Sequence, residues 1–487
     1  MSRKGSTSGE MRREGAVARG NAPSGLTRRR VVTAGAVLGG TALAAPWVLS
    51  SRARAQGADL EAYREANIDW RQADGESIVV AVISAVYFDR LLALMPAFKE
   101  LSGIDVQFQK IHPRDLRQKA ILDLSTRTGN LASSATDPMY YALYAANDWV
   151  DPLDDYLSDT SLTDPAWFDL EDVIPAWREA ASIDGQLYGM PFDGEATIQF
   201  YRKDVYDQHG IGPAETFEQY DQNAAAVHDP DNRLWGAALR GFAGPGQNMY
   251  IYPSIFRAFG GEWFDQAGNL NWNTPEALAA LEWYVNLLKT YAPPGVENWN
   301  WPDLGDAYSQ GTIASYIDGH NQAYLFTDPE RSRVVGKVAY ARWPKGPSGK
   351  RVTSIWNWGF PINAALSDSA KKATWLFIQF ACCKQTQILT SYGWETGGGA
   401  RYGVNRSSLW QDPGYLEVMN AAGPNFVEAT VASMEEDTDP DWRPRVQQWP
   451  AVGDTMAIAV QAALVGQMTP KDALATSQAK IDEIMGQ

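Results

Sequence analysis

Two periods of apolar residues alternate along the chain. Positions 77–83 (Ser-Ile-Val-Val-Ala-Val-Ile) are nearly all apolar and rich in β-branched side chains, which predicts a strand covered on both faces, as in a parallel sheet. Positions 87–101 carry Leu91, Leu92, Leu94, Met95 and Phe98 at helical spacing, which predicts an amphipathic helix ending at Gly103. A second strand at 104–108 completes a βαβ unit. Helices are predicted at 115–125, at 138–146 and, after an acidic turn, within 149–157. A strand follows at 197–201, then helices at 275–291, 369–392 and 470–485. A short polar helix is expected within 57–75. Strands and helices taking turns in this way give an α/β protein, and no repeat of solenoid period interrupts them.

The length of 487 residues calls for two or three packed units. The first 55 residues differ from the rest. They hold ten Lys and Arg against Glu10 and Glu14, and include Thr27-Arg28-Arg29-Arg30-Val31-Val32, which resembles a twin-arginine export pattern. A mildly apolar, glycine-containing stretch follows to Leu49, then Ala53-Arg54-Ala55 as a cleavage signal. Residues 1–55 are therefore read as a signal peptide of an exported, periplasmic protein. The stretch is short and glycine-rich for a membrane span.

The chain carries a net charge of −16, and removal of the basic leader makes it more acidic still. Such a surface repels nucleic acid and anionic lipid. The two cysteines, Cys382 and Cys383, are adjacent and expected within a helix. Neighbouring residues rarely meet disulfide geometry, so they read as buried free thiols.

Catalytic signatures are missing from the sequence. It has no phosphate-binding loop of Walker type, no H-E-x-x-H and no G-x-S-x-G. The four histidines, His112, His209, His228 and His320, are not at ligand spacing. The acidic run 435–441 lacks the spacing of a calcium loop and reads as a solvated surface. No metal or cofactor is expected.

A series of motifs then appears in order. Asp184-Gly185-Gln186-Leu187-Tyr188-Gly189-Met190-Pro191 leads into Phe200-Tyr201-Arg202-Lys203-Asp204 and Gly210-Ile211. Gly260-Gly261-Glu262-Trp263-Phe264-Asp265, Asn273-Thr274-Pro275 and Tyr308-Ser309-Gln310-Gly311-Thr312-Ile313-Ala314 follow. Trp358-Gly359-Phe360-Pro361-Ile362 and Thr469-Pro470-Lys471-Asp472-Ala473-Leu474 close the series. Together they resemble the family-one extracellular solute-binding proteins, the sugar-binding components of ABC importers related to maltodextrin-binding protein. The resemblance implies a type II periplasmic binding fold, with two hinged α/β lobes and a ligand cleft between them. It places 76–192 with 320–385 in an N-terminal lobe and 193–319 with 386–487 in a C-terminal lobe. It implies a monomer that passes its ligand to a membrane permease.

A neutral sugar or polyol needs aromatic faces for its C–H surfaces and charged or amide groups for its hydroxyls. The chain has 19 Trp, 21 Tyr and 16 Phe, most of them expected in the core. Trp356 and Trp358 flank Asn357 in an extended segment, which puts both indoles on one face and Asn357 on the other. Trp263 lies in a loop that the family sets near its cleft; Trp299 and Trp301 are weaker candidates. Asp193 and Glu195 follow Pro191 on the hinge strand, and Asp137 precedes Pro138, where the family carries ligand-facing acids. Tyr87 follows the carboxyl end of the first strand, the usual ligand side of an α/β sheet. Asn248, Asp318 and His320 are further candidates. Arg401 follows Gly397-Gly398-Gly399-Ala400 and would suit an anionic head group, as would His320. Two readings stand beside sugar capture. Acidic clefts between aromatics also hold polyamines, and paired carboxylates with aromatics also describe a glycosidase.

Overall fold

The computed structural model describes residues 60–392 and 401–487. The export segment 1–55 and the glycine run 397–400 lie outside the described residues. Among the described residues no helix is long and apolar enough to cross a membrane.

The first lobe forms around β1 (Ser77–Ile83), whose interior side chains are buried. It pairs in parallel with β2 (Asp105–Ile111) and with β3 (Ser133–Ser134), in the order β2-β1-β3. The single helix expected at 87–101 is two, Val86–Ala93 and Met95–Ser102. Pro96 explains the break: it has no N–H to bond back into the preceding turn and is suited to the first turn of a new helix. The helix expected at 369–392 also divides, into Asp368–Cys382 and Lys384–Ser391, with Cys383 extended between them. No Pro or Gly marks this break. The second piece packs on Val86–Ala93, and the Thr386 hydroxyl bonds to that of Tyr63. Both cysteine thiols are buried and free. The Asp184-Gly185 pair, with φ of 52° and 82°, turns a two-residue hairpin between Ser182–Ile183 and Gln186–Leu187.

The second lobe is built on β4 (Glu195–Arg202), which is buried along almost its whole length. It pairs antiparallel with β5 (Ser315–Gly319), β6 (Val338–Ala341) and β7 (Ile355–Trp356). Helices Asn248–Ala258, Pro275–Tyr291, Trp449–Leu464 and Pro470–Met485 pack together on this side.

The chain passes between the lobes along two adjacent antiparallel paths. Met190–Pro191 pairs with Gly359–Phe360 in the first lobe, and Glu195 and Ala196 pair with Trp356 and Ile355 in the second. The return to the first lobe therefore comes near 357–359. The sequence reading set it at 320, but residues 338–341 still pair with β4. The break at Cys383 has a similar effect: residues 384–391 pack on the first lobe, although the sequence reading gave them to the second from 386 onward.

Candidate functional site

The paths that join the lobes also carry the aromatic platform. Trp356 ends β7 and Trp358 lies two residues on; their rings are 5.9 Å apart at 71°. The Arg117 guanidinium, from the helix Pro113–Thr126 at the carboxyl end of β2, lies 5.8 and 5.5 Å from the two ring centres and 5.9 Å from Tyr140. Its Nε donates to Asp137 Oδ2 at 2.8 Å, while Asp137 Oδ1 accepts from the Met139 amide. Asp137 is fully buried, and these two partners satisfy both of its oxygens.

The second lobe closes the same space. Tyr250 meets Trp356 edge-on at 5.8 Å, and Arg240 lies 4.3 Å over the Tyr250 ring. Arg240 forms a two-pronged ion pair with buried Asp318, through Nε at 2.8 Å and through Nη2. Arg443 stacks 5.4 Å over Trp356 and 4.6 Å over Trp442.

Asp193 and Glu195 stand at the crossing itself. Asp193 accepts the Trp358 amide proton and faces Arg401. Burial nevertheless pushes its carboxyl up to about 7. Half-buried Glu195 lies beside Arg240, Asp318 and Tyr250; burial pushes it up to about 8, with Asp193 and Asp318 adding to the rise. Arg401 lies 4.3 Å over Phe192 and 5.7 Å over Tyr87, and donates to the Phe192 carbonyl and to Thr390 Oγ1. Eight of the sequence candidates thus fall into one connected cluster: Tyr87, Asp137, Asp193, Glu195, Asp318, Trp356, Trp358 and Arg401.

Five candidates do not join it, among them Trp299, half-buried against the core, and Trp301, which is exposed. Trp263 packs on Phe256 and Trp449 and donates to the Trp442 carbonyl, a core position. Buried Asn248 has both amide atoms in use, Nδ2 on the Ala457 carbonyl and Oδ1 on the Gly244 amide. His320 accepts from the Ala196 amide at Nδ1 and bonds the Tyr402 carbonyl through Nε2, so it staples backbone across the crossing. Burial pushes its imidazole down to about 4, which keeps it neutral.

Sequence reasoning missed Arg117, Arg240, Tyr250 and Arg443. A signal existed for Arg117, because it follows the carboxyl end of a parallel strand. Another existed for Arg443, which lies beside Trp442 in the irregular stretch between Pro440 and Pro444. Asn357 carries a further clue. It is fully buried, and neither atom of its amide has a partner. Both terminal nitrogens of Arg443 are likewise buried without a hydrogen bond. Buried polar atoms of this kind are costly unless something bonds them, and the Tyr250 and Arg443 side chains both lie against Trp356. Among the described residues no group of His, Cys, Asp and Glu is placed to hold a metal ion.

The profile of the bacterial extracellular solute-binding proteins matches residues 86–385, more than half of the chain. The chain belongs to that family. This solute-binding protein is 28% identical over 418 residues to a mannitol-binding protein of Pseudomonas aeruginosa, an alignment covering 83% of this chain and 92% of that one. Its fold superimposes on a solute-binding protein of Agrobacterium radiobacter in complex with ribitol, at a TM-score of 0.75 and 25% identity, covering 85% of this chain and 99% of that one. A solute-binding protein of Agrobacterium vitis with bound D-mannitol matches at a TM-score of 0.72 and 26% identity, with 85% and 99% covered. These likenesses establish the two-lobed type II binding fold.

Proposed function

We propose that this protein captures an acyclic polyol, or a closely related sugar, in the cleft around Trp356 and Trp358 and hands it to the permease of an ABC importer. The observation that carries this reading is the cleft itself. Two indoles and Tyr250 offer faces to C–H groups, while paired Arg and carboxylate side chains offer donors and acceptors in close alternation. A polyol presents the same alternation, each hydroxyl giving and accepting one bond. The ligands named for its relatives, mannitol and ribitol, are of this class.

The reading is of binding without turnover. Asp137 and Asp318 are held by arginines and Asp193 by the Trp358 amide, which positions them as recognition groups. Export through the leader at 1–55, by a twin-arginine route into the periplasm, and action as a monomer complete the proposal.

A thermal-shift panel on the chain beginning at Gln56 tests it, with alditols, mono- and disaccharides, aldonates and polyamines. A ligand at 100 times its Kd adds about 2.7 kcal/mol of stability. A shift with alditols or related sugars is the expected result. A shift confined to polyamines would overturn the reading, since four arginines line the cleft.

A further inference from the structure

The cleft brings together four arginines and four carboxylates. Two arginines are ion-paired, Arg117 with Asp137 and Arg240 with Asp318, and Arg401 faces Asp193 while donating to the Phe192 carbonyl and Thr390 Oγ1. Arg443 is left over. It is only 3% exposed, both of its terminal nitrogens lack a partner, and its guanidinium is held in place by stacking on Trp356 and Trp442. The groups that face it are Asp137, Arg117, Tyr250 and Tyr140. The only acid among them, Asp137, already spends one oxygen on Arg117 and the other on the Met139 amide. The unmatched acid, Glu195, is grouped instead with Arg240, Asp318 and Asp193.

An unpaired buried guanidinium is one of the costlier arrangements in a protein interior, and it is normally completed by an anion. The two free nitrogens form the planar fork that fits a two-oxygen anion side by side. A terminal carboxylate is an anion of this shape that a chain of hydroxyls can carry. Burial pushes Glu195 up to about 8 and Arg443 down to about 9, so near neutral pH the acid keeps its proton and the base its charge.

We propose that the Arg443 end of the cleft is a carboxylate subsite, and that the preferred ligand is a polyol chain ending in a carboxylate, an aldonate, over the corresponding neutral alditol. The inference rests on the polyol reading for the rest of the chain of hydroxyls. It adds the chemistry of one terminus.

Calorimetric titration at pH 7 with matched pairs tests it: D-gluconate against D-glucitol, and D-mannonate against D-mannitol. The expected result is at least tenfold tighter binding of each aldonate. In Arg443→Gln the aldonate-to-alditol affinity ratio falls to one or below, and in Arg443→Lys, which keeps the charge but loses the fork, it falls between the two. Equal or tighter binding of the alditols by the wild-type protein would overturn the subsite and leave the polyol reading standing. Binding of neither series would overturn both. A sugar phosphate bound more tightly than the matching aldonate would also overturn the carboxylate subsite.

Discussion

Trp356 shows how one side chain joins several parts of the site. Its ring meets Trp358, Tyr250, Arg117 and Arg443, and its carbonyl accepts the Trp177 indole proton. Trp356→Ala removes the face on which both arginines stack, and ligand affinity is expected to fall at least about tenfold, roughly 1.4 kcal/mol, in a calorimetric titration. Glu195 governs a different readout. Its folded value lies near 8, well above that of a free Glu. Between about pH 4.5 and 8 the folded protein keeps a proton that the unfolded chain has released, so this group's contribution to stability declines as pH rises through that window. Glu195→Gln removes the term, and its Tm should change less between pH 5 and 8 than that of the wild type. An unchanged slope would show that Glu195 ionises normally. Which residues were legible follows from reach. Asp193, Glu195, Trp356 and Trp358 sit on the crossing strands, beside recognisable Gly-Pro and Trp-Gly signals. Arg117 and Arg443 enter the cleft through long side chains from a helix and an irregular loop, and both meet Trp356, which lies far from either of them in sequence. His320 carries the opposite lesson, since a polar residue at a strand end proved to be satisfied wholly by backbone.

Among the elements, β1 and β4 follow directly from their apolar runs, because a strand buried on both faces has little else it can be, whereas β2 alternates apolar and polar residues and is partly exposed. The helix breaks differ in legibility. Pro96 announces its own, whereas the break at Cys383 depends on tertiary contacts with Tyr63 and the neighbouring helix. The segment 439–445 is irregular and joins the two sides of the cleft. Trp442 is bonded into the second lobe through Trp263, and Arg443 enters the cleft. Arg445 Nη1 donates to the carbonyls of Glu179 and Ser182, at 2.9 and 3.1 Å, around the end of the helix Pro175–Ala180. These are charge-assisted bonds to carbonyls at the negative end of a helix. Arg445→Ala is expected to weaken ligand binding about tenfold, chiefly through faster release in stopped-flow measurements. Because Arg445 is partly exposed, the Tm should move little. An unchanged release rate would show that the contact plays no part in holding the cleft shut.

At the scale of the molecule, two lobes meet across paired crossing strands, and residues from both wall one cleft. Binding energy drawn from both walls favours the closed arrangement over the open one, as in hinge closure generally. Small-angle scattering should therefore show a smaller radius of gyration at saturating ligand than without it. The central claim, capture of a polyol in the cleft around the two tryptophans, is tested most directly by calorimetric titration of the wild type and Trp358→Ala with ribitol, D-mannitol, D-gluconate and spermidine. The account predicts saturable one-site binding of at least one polyol or its acid, lost or at least tenfold weaker in Trp358→Ala, and no binding of spermidine. Binding of spermidine alone, or polyol binding that Trp358→Ala leaves intact, would contradict it.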